Sequence, residues 1–216
     1  MTPNDCPKLI YVAHRHPRFT HEAFIRRWRQ HAALGMSQAR WRNVTLYLHC
    51  DRIDGLPSAV PVIDCDGVAI VVYRSEHARQ AHIADEPARR TMKQDELDTF
   101  AQPVANTSLL LREDVGRAGP PEGYRLFVFW SLAPGGDEAR QPLDGAWRQL
   151  SAAANLAFTR NHPAGRIGDW ACAYVDEVLC AELEPLITLA GNLDTTVEGA
   201  RAVLTRTVVL HDARGS

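Results

Sequence analysis

Residues Gly67 to Arg74 read GVAIVVYR, and no other stretch narrows the choice of fold so far. Val68, Ile70 and Val72 alternate with Ala69, Val71 and Tyr73, so a strand built from them has no polar face. Such a strand belongs in the centre of a sheet whose two sides are both covered. Helices can cover one side. The other needs a second layer of strands.

The covering helix is legible at Phe19 to Met36, FTHEAFIRRWRQHAALGM. Thr20 is a good N-cap, Glu22 puts an acid in the first turn, and Gly35 supplies a stop. Phe24, Trp28 and His31 fall at i, i+4 and i+7, so they share the face that meets the sheet. His31 is the informative member, an ionisable group in an aromatic, core-facing stripe. A weaker copy occurs at Leu143 to Ala154, where Trp147-Arg148-Gln149 repeats Trp28-Arg29-Gln30 and Leu150 takes the place of His31. The cluster Arg26, Arg27 and Arg29 reads as the solvated side of the helix.

Strands are expected at Lys8 to His14, Val44 to Asp51, Gly67 to Arg74 and Thr107 to Glu113. A helical stretch capped by Ser75 should break near Asp85-Glu86-Pro87 and restart toward Phe100. The order is βαββαβ, which folds as a four-stranded antiparallel sheet with two helices on one face. Gly116 to Gly123, rich in glycine and proline, reads as a linker. The order then starts again, with strands at Tyr124 to Ser131, Leu156 to Asn161, Trp170 to Val175 and Val203 to Asp212, and a helix over Val178 to Gly191. Residues 1–115 and 124–216 therefore read as tandem units around the linker 116–123. The expected fold class is α+β, with two ferredoxin-like βαββαβ repeats packed sheet to sheet as an intramolecular α/β barrel.

Composition removes several function classes. Hydrophobic residues make up 45% and charged residues 23%, as in an ordinary globular domain, and a net charge of −2 does not suit a nucleic-acid partner. No apolar run is long enough to span a membrane, and MTPNDCPK is not a signal peptide. Five cysteines without C-x-x-C spacing read as free thiols, so the cytoplasm is the expected compartment. His14, His16 and His49 lack the carboxylates or thiols that a metal site needs. There is no phosphate-binding loop, dinucleotide fingerprint or serine-hydrolase elbow, so no cofactor is expected.

His31 has two readings. It is either a core histidine with both ring nitrogens satisfied, or a general acid/base lining a pocket between helix and sheet. Tyr47 and His49 project from the same side of one strand. They form either a strand edge or a hydrogen-bond donor beside a second acid/base. Asp66 is either a turn acid or a partner that fixes the His49 tautomer, and His77 and His82 read as surface residues. Phe24, Trp28 and Tyr73 supply aromatic walls.

Lys8 to Val12 with Phe24, Trp28, His31 and Ala32, followed by Tyr47, His49 and Asp66-Gly67-Val68-Ala69, resembles the EthD family of the dimeric α/β-barrel superfamily. Asp95-Glu96 ahead of Phe100 fits the family's acidic pair loosely. The resemblance is good over residues 7 to 115 and degenerate over 123 to 212. It implies an α/β barrel, and it implies either cofactor-independent dehydration, cyclisation or decarboxylation of a hydrophobic, oxygenated, polyketide-like molecule, or an accessory role beside an oxygenase. A haem- or oxygen-dependent activity is a third course. The expected partner is a small hydrophobic molecule, with room for a homodimer.

Overall fold

The computed structural model describes residues 6–119, 121–131, 156–167, 172–191 and 200–214. The first half runs β1 (Lys8–Ala13), α1 (His21–Met36), β2 (Val44–Arg52), β3 (Gly67–Tyr73), α2 (Glu76–Ala84), α3 (Glu86–Thr99) and β4 (Ser108–Arg117). The second half gives β5 (Gly123–Trp130), β6 (Ala157–Arg166), β7 (Tyr174–Cys180), α4 (Glu184–Gly191) and β8 (Ala200–Asp212). The expected second helix around Trp147 and Leu150 lies outside the described residues.

The eight strands form one closed antiparallel barrel in the order β1-β3-β2-β8-β5-β7-β6-β4. Within it β4-β1-β3-β2 and β8-β5-β7-β6 follow the same pattern of connections. The halves join edge to edge, β2 on β8 and β4 on β6, so their relation is continuous hydrogen bonding rather than two stacked sheets. Closure leaves no exposed strand edge among the described residues. The two-sided run Gly67–Tyr73 lies between β1 and β2, with Ile70 opposite both Ile10 and Leu48.

Alternation sorts the side chains. Ile10, Val12, Leu46, Leu48, Val68, Ile70, Leu109 and Leu111 pack with Phe127, Phe129, Val175 and Val203 inside the barrel. Tyr11, Tyr47, Ala69, Val71 and Tyr73 face outward and carry the Phe24–Trp28 face of α1. A buried ionic network shares the interior with the apolar layers. Lys8 Nζ pairs with Glu113 at 2.6 Å and with Glu177, which also accepts from Arg125 at 2.8 Å and Asn161 at 2.9 Å.

Several boundaries differ from the sequence reading. The stretch from Val178 begins as the end of β7, and α4 starts only at Glu184, with Pro185 in its first turn, where a missing N–H costs nothing. The third strand of this half starts at Tyr174 rather than Trp170, which lies outside the described residues. β4 runs on to Arg117, because pairing with β6 extends it into the expected linker. Thr20 does cap α1, accepting from Ala23 N. Gly35 is not the stop, however. It lies inside the helix, where a Cβ would touch Met92 of α3 at 3.4 Å. No described helix is long and apolar enough to cross a membrane.

Candidate functional site

The titratable groups under α1 form a connected chain. His49 is fully buried and stacks on Trp28 with ring centroids 3.8 Å apart. Arg29 donates to its Nδ1 and also to Asp51. Arginine can only donate, so the His49 proton belongs on Nε2, which donates to the Tyr47 hydroxyl at 2.7 Å. Tyr47 meets Tyr11 O–H at 3.3 Å, and Tyr11 also accepts from Trp28 Nε1 at 3.0 Å. Burial, Arg29 and His31 hold the His49 imidazole well below its ordinary pKa, so it is neutral. Burial also raises Tyr47 well above 10 and pushes Tyr11 up to about 12.

Gly67 makes this arrangement fit. A Cβ there would stand 2.7 Å from the Cys50 carbonyl oxygen and 2.7 Å from the Trp28 ring. The missing side chain lets the indole come close to β3. Phe24 stacks on Trp28 from the next turn, with centroids 5.6 Å apart.

His31 is buried and hydrogen-bonds Asp95 of α3 through Nδ1 at 2.6 Å, with its ring edge-on to Phe100. Burial lowers its pKa, and Asp95 only partly offsets this. Asp95 is in turn held by Arg27. Burial would raise the Asp95 carboxyl, but Arg27 and His31 keep it below the usual carboxylate range. Asp66 stands apart from His49, at the start of α1, and takes hydrogen bonds from Arg15 N at 2.8 Å and His21 Nδ1 at 3.0 Å. The His49–Asp66 contact considered from sequence is therefore not made. Arg29 holds His49 instead.

Three polar residues differ from expectation. Arg27 and Arg29 fold back over α1 to half-buried carboxylates, because a long aliphatic stem can lie on apolar surface while its head reaches round the helix. Only Arg26 of that cluster is exposed. His82 is buried against Tyr73 and Trp41 and bonds the Arg40 carbonyl oxygen through Nδ1 at 3.1 Å.

The open space lies beside this chain. A cleft of about 900 Å³ runs between α2, α3 and the outer face of the barrel, and Tyr73, Met92, Phe100, Val104 and Leu110 line it. Of the seven residues selected from sequence, only Tyr73 reaches it. Arg40 and Glu96 also line it. Arg40 follows α1 in a single 3-10 turn (Ala39–Asn43), and Glu96 lies one residue after the His31 partner. The Tyr73 hydroxyl has no hydrogen-bond partner among the described residues, and burial pushes its pKa up to about 12, so it stays a donor. Burial raises the Glu96 carboxyl above its ordinary pKa, although Val104 N donates to it at 3.4 Å. An apolar cleft with converging polar groups and a perturbed carboxyl has the character of an active site. Glu96 was visible in sequence only as half of a loosely placed acidic pair, and Arg40 carried no signal. No cluster of metal-ligating side chains occurs among the described residues.

Comparison with known proteins gives a domain and a fold. Residues 16–103 match the EthD domain. No curated protein matches the sequence significantly. The chain is similar in fold to an anthrone oxidase-like protein, with a TM-score of 0.60 at 11% identity over 98% of this chain and 96% of that one. It is also similar to a chlorite dismutase variant from Candidatus Nitrospira defluvii, solved with cyanide, with a TM-score of 0.54 at 10% identity over 96% and 92%. At such identities the likeness concerns the barrel alone.

Proposed function

We propose, from the match of residues 16–103 to the EthD domain, that this chain is a small-molecule enzyme moving a proton on a hydrophobic, oxygenated substrate held in the α2–α3 cleft. The observation that carries this reading is the meeting of Glu96, Tyr73 and Arg40 on one apolar cavity. Glu96 is the acid/base. Its raised pKa brings it closer to the pH at which a carboxyl can both take and return a proton. It removes a proton from the carbon beside a carbonyl, and the oxygen that gains charge is held by the Tyr73 O–H. Returned to a departing hydroxyl, that proton leaves as water, which is a dehydration. Cyclisation and decarboxylation need the same oxyanion support.

His31, Tyr47 and His49 stand one layer behind. His31 bonds the residue before Glu96, so its role in this reading is to fix α3 rather than to touch substrate. The α1 chain through His49 and Tyr47 sets the floor on which the helices rest. We also read the matching strand orders as two ferredoxin-like units, 1–115 and 124–216, with the working cleft on the first.

Glu96→Gln tests the assignment against a panel of β-hydroxy carbonyl compounds, with loss of water followed by mass spectrometry. Turnover should fall by about 10²- to 10⁴-fold while the melting temperature stays close to that of the parent. A Glu96→Gln protein with parental turnover would remove Glu96 from the chemistry.

A further inference from the structure

The composition of the cleft says what kind of molecule enters it. Its walls are apolar, and three of the large hydrophobic side chains left exposed among the described residues gather there: Ile83 of α2, Leu97 of α3 and Ile167 after β6. The charged residues on the same surface are unbalanced. Arg40, Arg79, Arg89, Arg90 and Lys93 face two acids, Glu86 and Glu96. Arg79 and Arg89 are neutralised on their own helices by Glu76 and Glu86.

Arg40 is different. It has no carboxylate within ion-pair distance among the described residues, and one hydrogen bond, from Nη1 to the His82 carbonyl oxygen at 3.3 Å. Its Nε is buried and makes no hydrogen bond. A guanidinium carries five N–H donors in a planar fork, which suits two oxygens of one anion. A half-buried arginine with most of those donors unused is incomplete without an acceptor. The Tyr73 hydroxyl, also without a partner among the described residues, lines the same cavity.

We propose that the cleft selects amphipathic acids, molecules with a large apolar body and a carboxylate that docks on Arg40, leaving Tyr73 to the carbonyl oxygen. This rests on the cleft being the working site, and it adds the class of molecule the cleft takes. The apolar body lies against Met92, Phe100, Val104 and Leu110, with Ile83 and Leu97 closing over its outer edge. The anionic head sits inward, where Arg40 replaces the water it loses. A neutral analogue gains the same apolar contacts but leaves the guanidinium without its acceptor.

The test uses the full chain and two fluorescent probes of equal shape, 9-anthracenecarboxylate and 9-anthracenemethanol. The carboxylate should bind about ten- to a hundredfold tighter than the alcohol. Arg40→Met should abolish that preference by weakening the acid and leaving the alcohol unchanged, and added salt should erode it in the parent protein. Glu96→Gln should bind the carboxylate at least as tightly as the parent, since it removes a nearby acid. Equal binding of the two probes to the parent would overturn the proposal, and so would a preference that survives in Arg40→Met. If Arg40→Met does not fold, the probe pair and its salt dependence in the parent still decide the matter. The two readings fail separately. Charge-selective binding with an active Glu96→Gln protein would keep this proposal and sink the catalytic one. An inactive Glu96→Gln protein without charge selectivity would do the reverse.

Discussion

Acid should loosen this protein at α2, through a residue that sequence pattern places on the surface. His82 is buried between Tyr73 and Trp41, and burial together with Arg40 lowers its pKa to about 4. An unfolded histidine titrates near 6.5. Between those values the unfolded chain binds the proton and the native one does not, so stability contributed by the neutral ring is full above about 6.5 and is lost as pH falls toward about 4. At pH 5 the loss from this one group is about 1.5 pH units at about 1.4 kcal/mol each, or about 2 kcal/mol. His82→Asn is the appropriate perturbation. The asparagine amide sits where Nδ1 sits and can still donate to the Arg40 carbonyl, but it does not titrate. Urea unfolding of both proteins at pH 7.5 and pH 5 isolates the effect as a difference of differences. The packing lost from the smaller side chain cancels between the two pH values, as do the contributions of His31 and His49. The variant should lose about 2 kcal/mol less than the parent on acidification. Equal losses would refute the argument and would mean that water reaches the ring.

Two further outcomes concern the scaffold. Gly67→Ala should cost about 1–3 kcal/mol in denaturant unfolding, because its methyl meets both the Cys50 carbonyl and the Trp28 ring, and tryptophan fluorescence should report the displaced indole. Lys8→Met should cost about 3–5 kcal/mol by leaving Glu113 and Glu177 short of their buried cation, and adding Glu113→Gln should restore part of it. With Glu96→Gln and Arg40→Met, these changes separate what holds the barrel from what the cleft does.

The core of the first half was readable because its signals are periodic. A strand with two apolar faces implies cover on both, and a stripe at i, i+4 and i+7 supplies one of them. Phe24 and Trp28 therefore stand where the pattern puts them, and His31 is buried as that pattern requires. The EthD resemblance, carried by the same residues, agrees with the domain found at 16–103. Pattern failed where a side chain is long. Arg27 and Arg29 occupy solvent-facing helix positions yet end on half-buried carboxylates, and period analysis follows the Cβ rather than the guanidinium.

By itself the sequence determined which strand is central, which helix face meets it, and that the histidine on that face is buried, since these depend on residues a few positions apart. Only the tertiary structure decided that the halves close edge to edge into a single barrel, that His49 answers to Arg29 rather than Asp66, and that Arg40, Tyr73 and Glu96 share a cavity. Those three come from a turn, a strand and a helix far apart in the chain. Their meeting is fixed by how the elements pack, and a linear pattern carries no record of it.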